Sequence, residues 1–295
     1  MKVIEKRNIY LTFSTTLIIA SWILIAVFGL RAGIDLKGGT SWQIYFPDLK
    51  NTVHEDQIRS IFVADNVEAF VTSASDGSFI VRTKDLSEED HQKYRKILIE
   101  KLGSLEEKSF SSIGPIIGSE LKRKSIWAIF AVMVGISLYI AYAFRKVSGS
   151  VQSWKYGVIT LMTLVHDVSI PAGLLALLGK WKGVEIDTNF IVALLFVMGF
   201  SVHDTIVVFD RVRENLLTNR GKINFGETIN QSIKETFARS INTSFTLVLV
   251  LVALLFFGPA TLFYFILTIL VGTIFGTYSS IFIASPVLYL WGRGK

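Results

Sequence analysis

The stretch Gly199-Phe-Ser-Val-His-Asp-Thr-Ile-Val-Val-Phe-Asp-Arg-Val-Arg-Glu-Asn215 decides how the chain is read. It closes an apolar run that begins near Asn189, and Asp204 lies inside that run, about five residues before its polar end. A carboxyl group placed there costs roughly 2.5–3.5 kcal/mol on insertion scales, and as a rule it faces a bundle interior or a wet cavity. The rest of the chain is the setting for that carboxylate.

The composition agrees with a membrane setting. Of 295 residues 51% are hydrophobic and 18% charged, with a mean hydropathy of +0.49; a soluble domain carries roughly a quarter charged residues. The expected class is a polytopic α-helical membrane protein. Cysteine is absent, which excludes disulfides, zinc–thiolate sites and cysteine nucleophiles. The four histidines, at 54, 91, 166 and 203, show no metal-binding spacing. No metal, cofactor or nucleotide site is expected. A membrane hydrolase fails on residues, because there is no nucleophile–base set and no metal pair.

In chain order, a basic start (Lys2, Lys6, Arg7) precedes an apolar run from about Ile9 to Leu30. Its length spans a bilayer and exceeds a secretory signal core, so an uncleaved first span is expected, making residues 1–30 the N-terminus and span one. Residues 31–125 are polar and mixed. Strands are expected at Thr40–Phe46, Val67–Ala74, Phe79–Lys84 and Ser109–Ile113, and helices at Val53–Phe62 and Ser87–Gly103. Ser75-Asp-Gly-Ser78 marks a hairpin loop, Ser87 an N-cap and Gly103 a stop. That order, β-α-β-β-α-β, is the split βαβ pattern of a small α+β ferredoxin-like domain. Five more apolar segments lie in residues 126–295: Ile126–Phe144, Tyr156–Gly179, Thr188–Phe209, Ile241–Gly258 and Leu262–Trp291.

Loop charge sets the expected orientation. Lys and Arg concentrate in the N-terminus, the 145–155 loop, the 211–240 loop and the C-terminus, and alternate with balanced or uncharged loops at 180–187 and 259–261. The positive-inside rule then puts both termini and the 211–240 loop in the cytoplasm and residues 31–125 outside. The net charge of +6 thus reports topology, and a nucleic-acid partner is rejected.

Several further groups fall within apolar segments. Asp167 follows His166 near the middle of the third span, and Pro171 frees the carbonyl of Asp167, so a bend is expected there. Function and a kink-and-packing site both remain open. Asp204 has Arg211 and Arg239 as candidate partners. Arg211 is expected to snorkel. Arg239 follows the stripe Ile229, Ile233, Phe237, Ile241, which predicts an amphipathic helix running from the cytoplasmic face into the membrane, with Arg239 at the boundary within reach of Asp204. A carboxylate that switches between charged-paired and protonated-free is a proton-coupled device; the alternative is a static pair. Asp210, Arg211, Arg213 and Glu214 read as a solvated interfacial anchor. Asn242, Thr243 and Ser244 bond across helices or line a wet path. Gly272, Gly276, Ser280 and Ala284 read as a packing face. Gly33-Ile-Asp-Leu-Lys-Gly-Gly-Thr40 lacks a phosphate-loop ending and reads as a tight turn.

Gly33–Gly39, His166-Asp-Val168, Ser201–Asn215 and Arg239-Ser-Ile-Asn-Thr-Ser244 together resemble SecF of the SecD/SecF family, relatives of the RND proton-driven transporters; the resemblance covers nearly the whole chain. It implies a six-helix RND-type bundle with the small domain between helices 1 and 2. It also implies SecD and the SecYEG channel as partners, with YajC, a translocating preprotein at the periplasmic domain, the bacterial inner membrane as location, and the protonmotive force as drive. Proton passage is implied for Asp204 and Arg239; Asp167 and His203 complete the expected relay. Leu36 and His203 depart from the family pattern, which has phenylalanine and asparagine there, and His203 is a candidate for tuning the pH range of the relay. The competing reading is a half-size RND-type exporter of small molecules or lipids.

Overall fold

Glycines and buried hydroxyls, more than apolar bulk, let the helices of this chain approach one another. The structure is a computed structural model describing residues 2–47, 53–74, 76–145, 151–219 and 223–292. Ser75 of the expected hairpin loop, Lys146, Arg220, Lys222, Arg293 and Lys295 lie outside the described residues. Two compact units form: Met1–Arg31 with Trp127–Lys295, and Ala32–Ile126.

Among the described residues six helical segments are long and apolar enough to cross a membrane. They are α1 (Arg7–Phe28), α5 (Pro115–Ala143), α6 (Ser153–Lys182), α7 (Thr188–Asn219), α8 (Phe225–Phe257) and a last span in which α9 (Phe263–Ser279) passes through a π-helical turn, Ser280–Ala284, into α10 (Ser285–Gly292). The core windows of α6 and of the last span are 61% buried, those of α5 and α1 only 6% and 11%. Hence α6, α7 and the last span form the centre, and α1, α5 and α8 present apolar surface outward. Close approach follows from small residues. A Cβ at Gly173 would lie 2.6 Å from Ser21 Cβ on α1, and one at Gly276 would lie 2.9 Å from Ser201 Cβ on α7. The expected packing face on the last span is therefore spent within the chain. The π turn begins at Ser280, so Ser280 and Ala284 leave the strict four-residue register of Gly272 and Gly276. Pro171 sits inside α6, which is helical on both sides of it.

The polar loop between spans four and five is shorter than the charge pattern suggested. α7 continues about three turns past Phe209, and α8 begins at Phe225, so the stripe at Ile229 and Ile233 belongs to one continuous helix. At 1.5 Å per residue α8 is about 50 Å long, well beyond a hydrocarbon core of about 30 Å. Ile229 and Ile233 are fully buried with Val3, Ile4, Val208 and Val212. Asn230 Oδ1 accepts from the backbone of Val3 (3.0 Å) and Ile4 (3.1 Å), fastening the N-terminal residues to α8.

The second unit contains a short helical turn α2 (Ile34–Lys37), then β1 (Gly39–Tyr45), α3 (Glu55–Val63), β2 (Ala69–Ser73), β3 (Phe79–Thr83), α4 (Glu88–Leu102) and β4 (Glu106–Ile113). The sheet order is β2-β3-β1-β4 with every neighbouring pair antiparallel. β3 lies between β1 and β2, the arrangement of a split βαβ unit. Alternation along β1 buries Trp42 and Ile44 against Ile58 and Phe62 of α3 and Leu98 of α4. Ser87 caps α4 by accepting from Asp90 N (3.1 Å), and Gly103 stops it at φ 91°. β4 starts three residues earlier than expected, because Glu106 and Glu107 pair with Tyr45 and Ile44 across a register shift. Gly38 takes φ 81°, and a Cβ there would lie 2.6 Å from Pro115 Cα, so the glycine-rich stretch does make a tight turn.

Candidate functional site

Two carboxylates are buried at similar depth. Asp204 is 16 residues from the Thr188 end of α7 and Asp167 is 15 from the Lys182 end of α6, about 24 and 22 Å at helical rise. Both are almost inaccessible, at 2% and 0%.

Asp167 is enclosed by three helices. Its Oδ2 accepts from Ser201 Oγ of α7 (2.5 Å) and Ser279 Oγ of α9 (2.8 Å), and its Oδ1 lies 2.8 Å from His166 Nδ1. The glycine contact between α9 and α7 brings Ser201 and Ser279 to one point. Trp22 of α1 donates to Ser169, two residues further on (3.0 Å). A charged carboxylate in such a place needs donors on both oxygens, and these three supply them.

Asp204 has a different neighbourhood. Its Oδ2 accepts from Ser244 Oγ of α8 (3.3 Å), and Ser244 shares a 2.5 Å hydrogen bond with Thr277 of α9. Thr277 and Ser279 are two residues apart, about 200° around the helix, so α9 serves one cluster from each side. Ser244 bonds across helices, one of the two roles the sequence left open. Among the described residues no ion pair or hydrogen bond joins Asp204 to Arg239 or to Arg211. Arg239 and His203 are both exposed on the bundle surface, while Asp167 and Asp204 are inside. The four expected relay residues thus divide into two interior carboxylates and two outward-facing cationic or titratable groups.

Arg211 is engaged elsewhere. It donates to Glu235 of α8 (2.5 Å) and Glu214 (2.6 Å), while Asn215 donates to Glu235 and Ser232 (2.9 Å each). The charge cluster at residues 210–214 therefore ties α7 to α8, with Arg213 to Asp210 at 3.5 Å as its loosest member. Ser201, Ser279 and Thr277 escaped the sequence reading. Two signals pointed toward them: Ser201 opens the Ser201–Asn215 motif, and Ser279 lies one turn beyond Gly276 on the packing face. Among the described residues no group of three or more His, Asp or Glu is placed to hold a metal ion.

Comparison with known proteins bears on this architecture. The family profile "Protein export membrane protein SecD/SecF, C-terminal" matches residues 93–294. The chain is 42% identical over 302 residues to the protein translocase subunit SecF of Thermobaculum terrenum, covering 98% of this chain and 93% of that one. It is 35% identical to the protein translocase subunit SecDF of Thermus thermophilus, covering 96% of this chain and 37% of the relative. The crystal structure of SecDF, a translocon-associated membrane protein from the same organism, superposes with a TM-score of 0.84 at 30% identity, over 99% of this chain. The chain spans 39% of the length of that structure. Fold and clusters together define a multi-pass membrane protein, a six-helix bundle with carboxylates bonded to hydroxyls in its interior. The chain belongs to the SecD/SecF family of protein-export membrane proteins.

Proposed function

We propose that this chain is the SecF-type subunit of a bacterial Sec export machinery and couples the protonmotive force to late steps of preprotein translocation. It acts with a SecD-type partner and the SecYEG channel, and YajC joins the assembly. The relatives named SecF and the fused SecDF of Thermus thermophilus support a partner that supplies a second bundle. In this reading the chain sits in the inner membrane with both termini in the cytoplasm, and the unit Ala32–Ile126 handles the emerging polypeptide outside.

The observation that carries the mechanism is Asp204, a carboxylate buried at hydrocarbon depth, with Ser244 as its hydrogen-bond donor and no cation bonded to it among the described residues. In the charged state it calls for a counter-charge; in the protonated state it needs none. Arg239, exposed on the adjoining helix at about 27 Å from the Phe257 end, is the cation whose approach would discriminate between those states. Asp167 holds a second position in the path, and His203, exposed beside Asp204, adjusts its pH range. Exchange of a proton at Asp204 then shifts α8 against α7, and that shift is transmitted to the export cycle. The reading is tested in inverted membrane vesicles stripped of the chain. Export stimulated by an imposed pH gradient should fall and return on re-addition with the SecD-type partner. Undiminished stimulation in its absence would refute it.

A further inference from the structure

His166 is buried to 1% exposure, lies beside a buried carboxylate, and has one ring nitrogen that bonds to nothing among the described residues. Nδ1 faces Asp167 Oδ1 at 2.8 Å. Nε2 is buried and has no hydrogen-bond partner among the described residues. The ring's aromatic neighbours are Phe275 (6.3 Å) and Tyr278 (6.4 Å). The Tyr278 hydroxyl is already occupied, donating to Tyr10 O (3.2 Å) and accepting from Ser14 (3.3 Å).

Valence counting limits what the pair can do. Asp167 Oδ2 is filled by two serine donors. Oδ1 is left for the imidazole. A neutral imidazole carrying its proton on Nδ1 donates to the carboxylate, and the pair has charge −1. Oδ1 keeps one open lone pair and Nε2 another; an imidazole nitrogen is intrinsically the more basic of the two, so an added proton lands on Nε2. The result is an imidazolium–carboxylate pair. Transfer of the Nδ1 proton to Oδ1 turns that into a neutral acid beside a neutral imidazole protonated on Nε2. Both forms have net charge zero, so the pair gains or loses one proton as a unit.

We propose that His166 and Asp167 form a second proton-binding site in the bundle, distinct from Asp204, at which one proton enters and leaves through His166 Nε2. The inference rests on the proton-coupling reading above and assigns its Asp167 step to a shared dyad. The other titratable groups on helices packed against α6 are engaged separately. Asp204 bonds to Ser244, Tyr10 and Tyr278 are linked as above, and Arg7 of α1 lies over the Tyr289 ring of α10. His203 points outward. Among the described residues no Lys or Arg bonds to the dyad. Ser201 and Ser279 hold the carboxylate in both states, which makes them positioning residues.

The test uses the full chain in lipid vesicles, labelled with 15N-histidine and 13C-aspartate, followed by solid-state NMR across pH. One imidazole and one aspartate carboxyl signal should change together at a single midpoint. The imidazole signal should vanish in His166→Gln and the carboxyl signal in Asp167→Asn, and both should persist in Asp204→Asn. In His166→Gln, which keeps a donor to Oδ1 and loses the proton acceptor, the carboxyl midpoint should move by about one pH unit or more, roughly tenfold in proton concentration. An unmoved midpoint, or a wild-type spectrum in which no histidine and aspartate change together, overturns the proposal. The wild-type spectrum decides even if a variant misfolds. Export is not read in this test, so a co-titrating dyad in a chain that shows no gradient-dependent export would refute the proposed function and leave the dyad intact.

Discussion

Replacing Gly276 by alanine adds a single methyl group, and the structure sets its consequence. The new Cβ would lie 2.9 Å from Ser201 Cβ, whereas carbon atoms rest about 3.5–4.0 Å apart. Ser201 must retreat by about 0.6–1.1 Å, or α9 must move by as much. Ser201 Oγ is 2.5 Å from Asp167, so that retreat stretches the bond to about 3.1–3.6 Å, at or past the limit for a hydroxyl donor. Overpacking costs about 1–3 kcal/mol, and a lost interhelical hydrogen bond in a membrane bundle costs about 0.6–1.7 kcal/mol. Less the gain of up to about 1 kcal/mol for alanine over glycine in a helix, the expected loss is about 1–4 kcal/mol. At Gly135 on α5 and Gly199 on α7 an added methyl group would meet nothing within 4 Å, so alanine there should be neutral or stabilising by up to about 1 kcal/mol. Helicity lost during detergent-mediated unfolding of the three variants, followed by circular dichroism, measures the difference. If Gly276→Ala is as stable as Gly135→Ala, α9 and α7 do not meet as described, and the account of how Ser201 and Ser279 reach Asp167 fails.

Other outcomes follow from the same geometry. Asn215→Ala removes the donor to Ser232 and Glu235 and should cost about 1–3 kcal/mol in the same unfolding assay; Arg213→Ala, whose pair with Asp210 is long and open to solvent, should leave the midpoint in place. Ser87→Ala should destabilise α4 by about 1 kcal/mol, seen as faster amide exchange in residues 88–92. In the Ala32–Ile126 unit, hydrogen bonds from Lys108 and Ser78 hold the Asp76 carboxyl well below the usual aspartate range, those from Ser73 lower Glu55, and the one from Lys93 lowers Asp65. Depressed carboxyls contribute stability above their unfolded values, and that contribution is lost as pH falls through the folded ones. Amide protection in β2 and β3 should therefore decline below about pH 4, and Asp76→Asn should flatten that decline.

The spans and the polar unit were legible because hydropathy and alternation depend on the neighbouring residues alone. The β-branched and aromatic residues of Thr40–Phe46 announced a strand, and Ser87 and Gly103 announced the ends of α4, from a few residues each. What sequence did not disclose was rotation. Arg239 and Ser244 differ by five residues, about 140° around a helix. Depth placed Arg239 near Asp204, and its charge does bear on that carboxylate, but azimuth gives the hydrogen bond to Ser244 and leaves Arg239 exposed. The end of α7 was misjudged for a related reason. A hydropathy window stops where charges begin, but Arg211, Glu214 and Glu235 continue the helices by pairing with each other. The π turn at Ser280 left no trace in a stripe of small residues, because widening a helix by one residue changes register without changing composition. The Asp167 cluster was half visible. The carboxylate stood out, and its serine donors, ordinary in composition, acquired meaning only when α6, α7 and α9 converged.

The central claim is that Asp204 exchanges a proton in step with export. It is tested most directly by gradient-driven export in vesicles carrying Asp204→Asn, with assembly checked by co-purification of the SecD-type partner. Asparagine keeps an acceptor for Ser244 and cannot ionise. Intact assembly with loss of the gradient-dependent component is the predicted result. Intact assembly with gradient-driven export at the wild-type level would contradict the claim and reduce Asp204 to a packing residue.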